Sequence, residues 1–236
     1  MRAGRALHAS VLYPTHKPTF AWQKLLLTAG SAIAALRNPE RGDMVATLGE
    51  TTGSFALRNM YEQMQNDPVG RQVLAERPRV TSETVPVLTL REFPEGTLGR
   101  AYAEYMAAHS FDSDKRTPVM FVDDAELAYV MQRYREVHDF MHAITGLPPT
   151  EYGELVLKLY EAVQTGLPMC KLAVTFGALR LSAAERHHLT TQCTPWALCH
   201  ARAPFYMNLY FEKELETPVQ DLQRRLGINK PPLLRL

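Results

Sequence analysis

The sequence predicts an all-α fold in a single domain. Apolar residues recur every three or four positions along most of the 236-residue chain, which is the spacing of one helix face. Asn-Pro and Gly-Leu-Pro sequences interrupt these runs where helices are expected to end. Only residues 85–90 form a short β-prone run, and no second strand lies near it, so we expect an extended segment and no sheet.

The first half of the chain contains several predicted helices. Residues 20–36 carry apolar side chains at helical spacing and end at an Asn-Pro pair. Asp43 or Thr47 could cap a short following segment, and residues 49–53 (GETTG) are typical of a turn. The other helices predicted in this half are residues 54–64, 68–75 and 96–109.

Two longer helices are predicted on either side of a Gly-Leu-Pro-Pro turn. The first spans residues 123–144, where Asp123 and Asp124 suit the positive end of a helix dipole. The second spans residues 150–164. The remaining predicted elements are an apolar helix over 169–181, a helix over 182–200 that Pro195 should interrupt, and a last pair of helices within 203–226.

We place the helical domain at residues 13–228, with residues 229–236 as a C-terminal tail. Residues 1–12 contain two arginines and no acidic residue. Two interpretations of this segment stay open: the remainder of an organelle transit peptide, or a disordered N-terminal stub.

Composition excludes some classes of protein. Lys and Arg number 26 against 25 Asp and Glu, so the chain lacks the basic excess typical of a nucleic-acid-binding protein. Three cysteines with no CxxC spacing indicate free thiols in a reducing compartment. The most apolar run, residues 25–36, is too short to cross a bilayer, but it could contact a membrane surface or lie in a core.

The strongest functional signal is the stretch HDFMHAITGLPPTEYGE, residues 138–154. His138 and His142 are four positions apart on one predicted helix, so their imidazoles share a face and can share a metal ion. If the two helices fold back about residue 148, the position opposite His142 is Glu154. The spacing therefore predicts that Glu154 faces His142 across the turn.

Asp139 is harder to place, because it lies about 100° around the helix from His138. It could bind the metal edge-on or through water, orient a ligand, or carry a proton. The nitrogen and oxygen ligands suit Zn²⁺, which we take as the first choice, and also Co²⁺, Mn²⁺, Fe²⁺ or Mg²⁺. The alternative is a chance His-x3-His pair, which is common on helices. The pattern is not the HExxH motif, because Asp139 replaces its glutamate.

Other polar clusters give weaker signals. Mirroring about the same turn places Arg135 opposite Glu161 and predicts an ion pair between the two helices. No phosphate-binding loop, nucleophile motif or dinucleotide fingerprint is present in the sequence. A second metal site of irregular spacing could be drawn from His187, His188, Cys193, Cys199 and His200.

Four segments resemble a known family. They are FVDDAELAYVMQRYREVHDFMHAITGLP (121–148), EAVQTGLPMC (161–170), LGETTG (48–53) and DPVGRQVLAERPR (67–79). They closely resemble the eukaryotic ubiquinone-biosynthesis family of the fourth coenzyme Q protein, and the likeness runs over residues 13–228. The hallmark of that family, HDxxH followed by eleven residues and Glu, falls on His138, Asp139, His142 and Glu154.

The resemblance implies a metal-dependent carbon–carbon lyase, of the 4-hydroxy-3-methoxy-5-polyprenylbenzoate decarboxylase type. It would remove the C1 carboxyl group of a polyprenylated 4-hydroxybenzoate, coupled to hydroxylation at the same carbon. The resemblance also implies a peripheral protein on the matrix side of the mitochondrial inner membrane, within a multi-subunit complex of coenzyme Q biosynthesis proteins. A homodimer is left open.

A non-catalytic function is the main alternative. The protein would then bind the lipid intermediate and organise the other enzymes, with the metal as a structural element. Residues 25–36 and 167–181 could line a groove for the polyprenyl tail, although plain core packing would explain their apolar character equally well. Lys171 departs from the family pattern, where an apolar residue is expected, and the region of His187 and His188 looks variable.

Overall fold

The computed structural model describes residues 10–38, 41–200, 202–232 and 234. Helices form the regular structure of these residues, which contain no β-strand and only an isolated bridge between Thr97 and Pro218. The predicted all-α fold is confirmed. In chain order the α-helices are α1 (Ala21–Arg37), α2 (Gly42–Thr52), α3 (Ser54–Gln65), α4 (Pro68–Glu76), α5 (Val87–Leu90), α6 (Leu98–Ala108), α7 (Ala125–Thr145), α8 (Glu151–Thr165), α9 (Pro168–Gly177), α10 (Ala183–His188), α11 (Thr194–Cys199) and α12 (Val219–Arg225).

The hairpin of α7 and α8 lies at the centre of the fold. Asp124 caps α7, accepting hydrogen bonds from the backbone amides of Glu126 and Leu127 at 2.9 and 3.1 Å. Thr150 caps α8 in the same way. Gly146 ends α7 with a φ of 72°, a left-handed conformation that glycine adopts without steric penalty. These local signals explain why both helices begin and end within two residues of their predicted limits.

The core surrounds α7. Helices α3 and α6 pack directly on it, and α9 and α11 pack on α8. Most side chains of α7 are buried, including charged ones that have ionic partners. Arg133 binds Glu212, and Glu136 binds Arg79. The hairpin is therefore enclosed on several sides, and its charged residues are satisfied by other parts of the chain.

Two local predictions in the first half are wrong. Residues 49–53 were predicted as a turn, but α2 continues through Thr52, because Glu50 is held in the core by tertiary contacts. Its carboxylate accepts hydrogen bonds from the backbone amides of Met120 and Phe121 at 2.8 and 2.7 Å. Residues 85–90 were predicted as extended, but the single-turn helix α5 spans Val87–Leu90 and packs on α6.

The C-terminal predictions need correction as well. Helix 182–200 is broken before Pro195, at a π-helical segment spanning Leu189–Cys193. Pro195 lies in the first turn of α11, where a missing backbone N–H disrupts no intrahelical bond. Instead of the two helices predicted within 203–226, the chain forms two 3₁₀ turns, Tyr206–Asn208 and Phe211–Lys213, followed by the single helix α12.

The two apolar stretches, residues 25–36 and 167–181, differ in how deeply they are buried. Core packing is the wrong interpretation for much of residues 25–36, since Leu25 and Leu26 of α1 are 69% and 62% exposed. In residues 167–181, Leu167 and Cys170 are fully buried, whereas Leu179 is exposed. No helix in the described part of the chain is long and apolar enough to cross a membrane. Residues 1–9 of the predicted N-terminal segment lie outside the described residues.

Candidate metal centre

Three side chains converge where α7 and α8 meet. The Nε2 atom of His142 is 2.9 Å from Oε1 of Glu154 and 3.2 Å from Nε2 of His138. The Nε2 atom of His138 is 3.4 Å from Oε2 of Glu154. The prediction that Glu154 opposes His142 across the turn is confirmed. Among the described residues this is the one group of three or more His, Cys, Asp or Glu side chains whose ligand atoms all lie within 4.8 Å of one another.

The spacing of these atoms fits a metal ion. Tetrahedral ligands about 2.1 Å from Zn²⁺ lie roughly 3.4 Å from one another, close to the separations observed here. Three protein ligands would leave one position for water or substrate. The side chain of Glu154 is 35% exposed while that of His142 is fully buried, so the site opens toward solvent on its α8 side.

Hydrogen bonds orient both imidazoles toward the centre. Nδ1 of His142 lies 2.9 Å from the carbonyl oxygen of Leu147, so it carries the proton and donates. Nδ1 of His138 lies 2.7 Å from Oε1 of Glu161. Each ring is thereby left with Nε2 facing the ligand cluster. Outer hydrogen bonds of this kind fix the tautomer and the ring orientation of metal-binding histidines.

Glu161 is the centre of a buried polar network. It also accepts hydrogen bonds from the Tyr134 hydroxyl and the Lys158 ammonium at 2.6 and 2.7 Å. Burial alone would raise the pKa of Glu161, but the charges of Lys158 and His138 lower that pKa to about 2. Glu161 is therefore held as a carboxylate. Sequence reasoning missed this role, although Glu161 lies one helical turn from Lys158, the residue that mirrors His138 across the hairpin.

The predicted ion pair between Arg135 and Glu161 is wrong. Arg135 binds the carboxylate of Glu50 on α2 at 2.5 Å and the carbonyl oxygen of Ala46 at 2.9 Å. The mirror argument considered two helices only. A third helix, α2, supplies the buried carboxylate of Glu50, and Arg135 binds that carboxylate instead of Glu161.

Charges within the ligand cluster offset one another. Burial and Lys158 would lower the pKa of His138, but the carboxylates of Glu161 and Glu154 raise it to about 9. Burial would raise the pKa of Glu154, and the charge of His138 with hydrogen bonds from both histidines moves it well below its usual range instead. A metal ion bound here would take over the role of these protons.

Asp139 points to a different partner. Its Oδ2 atom lies 2.5 Å from a guanidinium nitrogen of Arg116, and it is not among the three converging ligands. The same guanidinium group contacts the Tyr102 hydroxyl and the backbone carbonyl of Val80. Arg116 therefore links Asp139 to α6 and to the segment before α5.

Tyr105 forms an aromatic wall beside the ligands. Its ring stacks on His142 with centroids 5.0 Å apart and planes inclined by 14°. Burial is the largest cause that raises the pKa of Tyr105, and the charges of Asp139 and Glu154 raise it further. The phenol consequently stays protonated. Sequence reasoning missed Tyr105, because nothing in the apolar stripe of α6 marks which residue approaches α7.

The second candidate cluster is not assembled. His188 and Cys193 share the Tyr152 hydroxyl, which lies 2.6 Å from Nδ1 of His188 and 3.2 Å from Sγ of Cys193. Nδ1 of His200 instead contacts the carbonyl oxygen of Trp196 at 2.5 Å. These residues form local pairs and no shared ligand set. All three cysteines are free thiols.

Comparisons with known proteins agree on one family. Residues 13–232 match the family described as coenzyme Q (ubiquinone) biosynthesis protein Coq4. A Bos taurus protein named ubiquinone biosynthesis protein COQ4 homolog, mitochondrial, is 51% identical over 224 residues, covering 94% of this chain and 84% of its own length. The Homo sapiens protein of the same name is 49% identical over 226 residues, covering 95% and 85%.

A solved structure shares the fold. The crystal structure of a Nostoc punctiforme protein, described as a candidate ubiquinone biosynthesis protein, aligns with a TM-score of 0.67. It covers 90% of this chain and 100% of its own, at 21% sequence identity. At that identity the likeness concerns the fold alone.

Proposed function

Because the chain belongs to the Coq4 family of coenzyme Q (ubiquinone) biosynthesis proteins, we propose that it is a metal-dependent enzyme of that pathway. It removes the C1 carboxyl group from a polyprenylated 4-hydroxybenzoate, and His138, His142 and Glu154 hold the ion. The observation that carries this proposal is the convergence of two imidazoles and one carboxylate at 2.9 to 3.4 Å.

The names of the relatives support a mitochondrial location for the proposed activity. Those names place the curated relatives in mitochondria and in ubiquinone biosynthesis. We propose that this protein works on the matrix side of the mitochondrial inner membrane, peripherally attached, with other coenzyme Q biosynthesis proteins in one complex. The polyprenylated substrate itself is a membrane lipid, so an attached enzyme would meet it at the bilayer surface.

When bound, a divalent ion would supply Lewis-acid stabilisation of negative charge on the carboxylate and ring oxygens of the substrate. The protein's own residues preorganise that site. Glu161 and the Leu147 carbonyl fix the two imidazoles, which leaves both Nε2 atoms directed at the ligand cluster. The three side chains leave room for a substrate oxygen because Asp139 is engaged by Arg116.

The reaction breaks the bond between C1 and the carboxyl carbon and releases CO₂. In the simple lyase reaction the electron pair stays on C1, which then accepts a proton. In the oxidative form an external oxygen-atom donor accepts that pair and supplies a hydroxyl oxygen at C1. The Tyr105 ring, which stacks on His142, bounds the space beside the ligands where the benzoate would lie, and Asp139 is our candidate proton carrier.

A groove near the site is suited to the apolar part of the substrate. It has an accessible volume of ≈ 450 Å³ and lies between α5 and α6. Phe111 lines it and also contacts the Tyr105 ring, with centroids 5.8 Å apart. The first isoprene units could therefore run from the aromatic wall along residues such as Leu88 and Met106.

The direct test follows the C1 carboxyl group. Purified protein loaded with Zn²⁺, Co²⁺ or Mn²⁺ is incubated in detergent with a short-tailed polyprenyl hydroxybenzoate, with and without an oxygen-atom donor such as dissolved O₂. Mass spectrometry shows whether hydrogen or hydroxyl replaces the carboxyl. We expect turnover by the loaded wild type and by Glu151→Gln, an exposed control on α8, but not by His142→Ala. Turnover by metal-free wild type, or by folded His142→Ala at the wild-type rate, would contradict the proposal.

The scaffold function remains the second candidate. It predicts that the metal-loaded wild type binds the substrate and partner enzymes but does not remove the carboxyl group and does not reduce the oxidant. In that case His142→Ala would reduce thermal stability and assembly, whereas no condition would yield decarboxylated product.

A further inference from the structure

Helix α1 is amphipathic in the opposite sense to an ordinary surface helix. Its solvent-facing stripe is apolar, and the polar side chains of Lys24, Thr28 and Ser31 lie on the side that faces the protein. Seen down the helix axis, the stripe covers roughly 100°. Its members are Trp22, Leu25, Leu26, Ala29, Ile33 and Leu36.

The inward side of α1 carries polar side chains beside small apolar ones and Leu27, and its polar groups are satisfied. Ser31 is buried and donates to the Thr28 carbonyl oxygen at 3.1 Å, and Thr28 donates to the Lys24 carbonyl oxygen at 2.8 Å. The Lys24 ammonium binds Asp123, next to the cap of α7. The ion pair of Lys24 with Asp123 and the packing on α2 fix the rotation of α1, so that the apolar stripe cannot turn inward without breaking them.

Exposure along the stripe is high and continuous. Leu25, Leu26 and Trp22 are 69%, 62% and 61% exposed, and Ile33 is 52% exposed. Contiguous apolar surface of this kind marks an interaction site, since each exposed aliphatic side chain forgoes roughly 1.5–3 kcal/mol of burial free energy.

The charged side chains of the segment that carries the stripe have one sign. Residues 10–38 contain no acidic side chain, and the exposed cations Lys17 and Arg37 lie before the start and at the end of α1. An anionic surface would therefore meet apolar side chains in the middle and positive charge at both ends. Trp22 adds the amphipathic ring that favours the boundary between lipid and water.

A second copy of the chain fits this face less well. A 17-residue helix is about 25 Å long and roughly 10 Å wide, so its stripe offers only a few hundred Å², against about 800 Å² per partner in a standard protein interface. Two copies would also bring cationic helix ends together. A bilayer requires no such area, because a flat helix can insert its side chains among the lipids.

We propose that the outward stripe of α1, flanked by Lys17 and Arg37, seats the protein on an anionic lipid bilayer. The inference deepens the membrane attachment put forward under the proposed function, and it does not depend on the metal chemistry. Because the inward side of α1 packs on the protein, the helix would lie in the plane of the membrane surface, with its stripe below the headgroups.

The experiment measures co-sedimentation of the metal-loaded protein with vesicles of phosphatidylcholine, with or without phosphatidylglycerol. The test variant is Leu25→Ser/Leu26→Ser/Ile33→Ser. The matched control, Phe55→Ser/Val69→Ser/Leu198→Ser, removes three exposed apolar side chains from other helices. We expect the test variant to bind at least ~10-fold more weakly, and the control to bind like wild type.

Two further readouts sharpen the result. Lys17→Gln/Arg37→Gln should lose the preference for phosphatidylglycerol. The emission of Trp22 should shift to shorter wavelength on vesicle binding, against a constant background from the one other tryptophan, Trp196, which is buried. Sedimentation velocity without lipid tests the alternative occupant, and a wild-type dimer that the test variant dissociates would overturn the proposal.

The failures are distinguishable. Wild-type binding that persists in the test variant would refute the role of α1 while leaving membrane attachment in place. Wild type that binds no vesicle would refute attachment through lipid altogether. Decarboxylation measured in detergent is independent of both outcomes.

Discussion

Helices α1 and α7 carry apolar residues at the same helical spacing, yet they bury opposite sets of side chains. In α7 the apolar residues face the core, and even charged Arg133 is fully buried. In α1 the apolar stripe faces outward and Ser31 is buried instead. Periodicity therefore establishes that a helix has two faces. What covers each face depends on ionic and hydrogen-bonded partners elsewhere in the chain.

The largest expected effect comes from the buried charge of α7. Arg133→Ala would leave Glu212, which it binds through both terminal nitrogens, without its partner. We expect a loss of about 3–5 kcal/mol in the free energy of unfolding, because an uncompensated buried charge remains. Urea denaturation measures this loss of unfolding free energy. Arg100→Ala, which breaks an exposed pair with Glu104, is the control and should cost less than about 1 kcal/mol. Equal losses in the two variants would show that burial of Arg133 is not decisive.

Next in size is the effect of Glu161 on the metal centre. Glu161→Gln keeps the shape of the side chain and an acceptor for Tyr134, but it removes the charge that holds His138 and pairs with Lys158. We expect metal affinity to fall roughly 10- to 100-fold. Competition with a chelating dye measures that affinity without any assay of turnover. Glu151→Gln on the same helix should bind metal like wild type, and unchanged affinity in Glu161→Gln would refute the positioning role.

The inward face of α1 tests the comparison directly. Ser31→Leu adds an apolar side chain to the inward face, where an ordinary surface helix carries apolar residues. Here it should destabilise the protein by about 1–3 kcal/mol, because Ser31 is buried against the protein and a larger side chain would overpack that position. Thermal and denaturant unfolding would reveal it. A stabilised variant would contradict this expectation and show that the inward face of α1 accepts a larger apolar side chain.

The smallest effect is expected on the outward face of α1. Leu25→Ser should change the free energy of unfolding in solution by no more than about 0.5 kcal/mol, because the side chain packs on little of the protein. Leu57→Ala in the buried face of α3 is the contrasting control and should cost about 2–5 kcal/mol. A large loss from Leu25→Ser would mean that another part of the protein covers the stripe.

Much of the fold and the ligand geometry could be predicted because both are local. The caps at Asp124 and Thr150 and the left-handed Gly146 set the helix limits, and a short turn then forces Glu154 opposite His142. These relations span few residues, so the spacing alone determines them.

The remainder depends on distant contacts. Arg116 reaches Asp139 from a loop 23 positions earlier, and Tyr105 approaches His142 from α6. Glu50 of α2 binds Arg135, although the two residues are 85 positions apart in the chain. No pattern within α7 and α8 indicates which residues of other helices will pack beside them. The same limit explains why the outward rotation of α1 could not be foreseen.

The hairpin also has a consequence for the order of folding. Its three ligand residues fall within sixteen positions of one another, so bringing them together closes only a short loop and costs little chain entropy. The contacts from α2 and α6 require much longer loops and should form later. A metal ion that binds the early hairpin would then act as a folding nucleus, and a refolding rate that rises with metal concentration would be its kinetic signature.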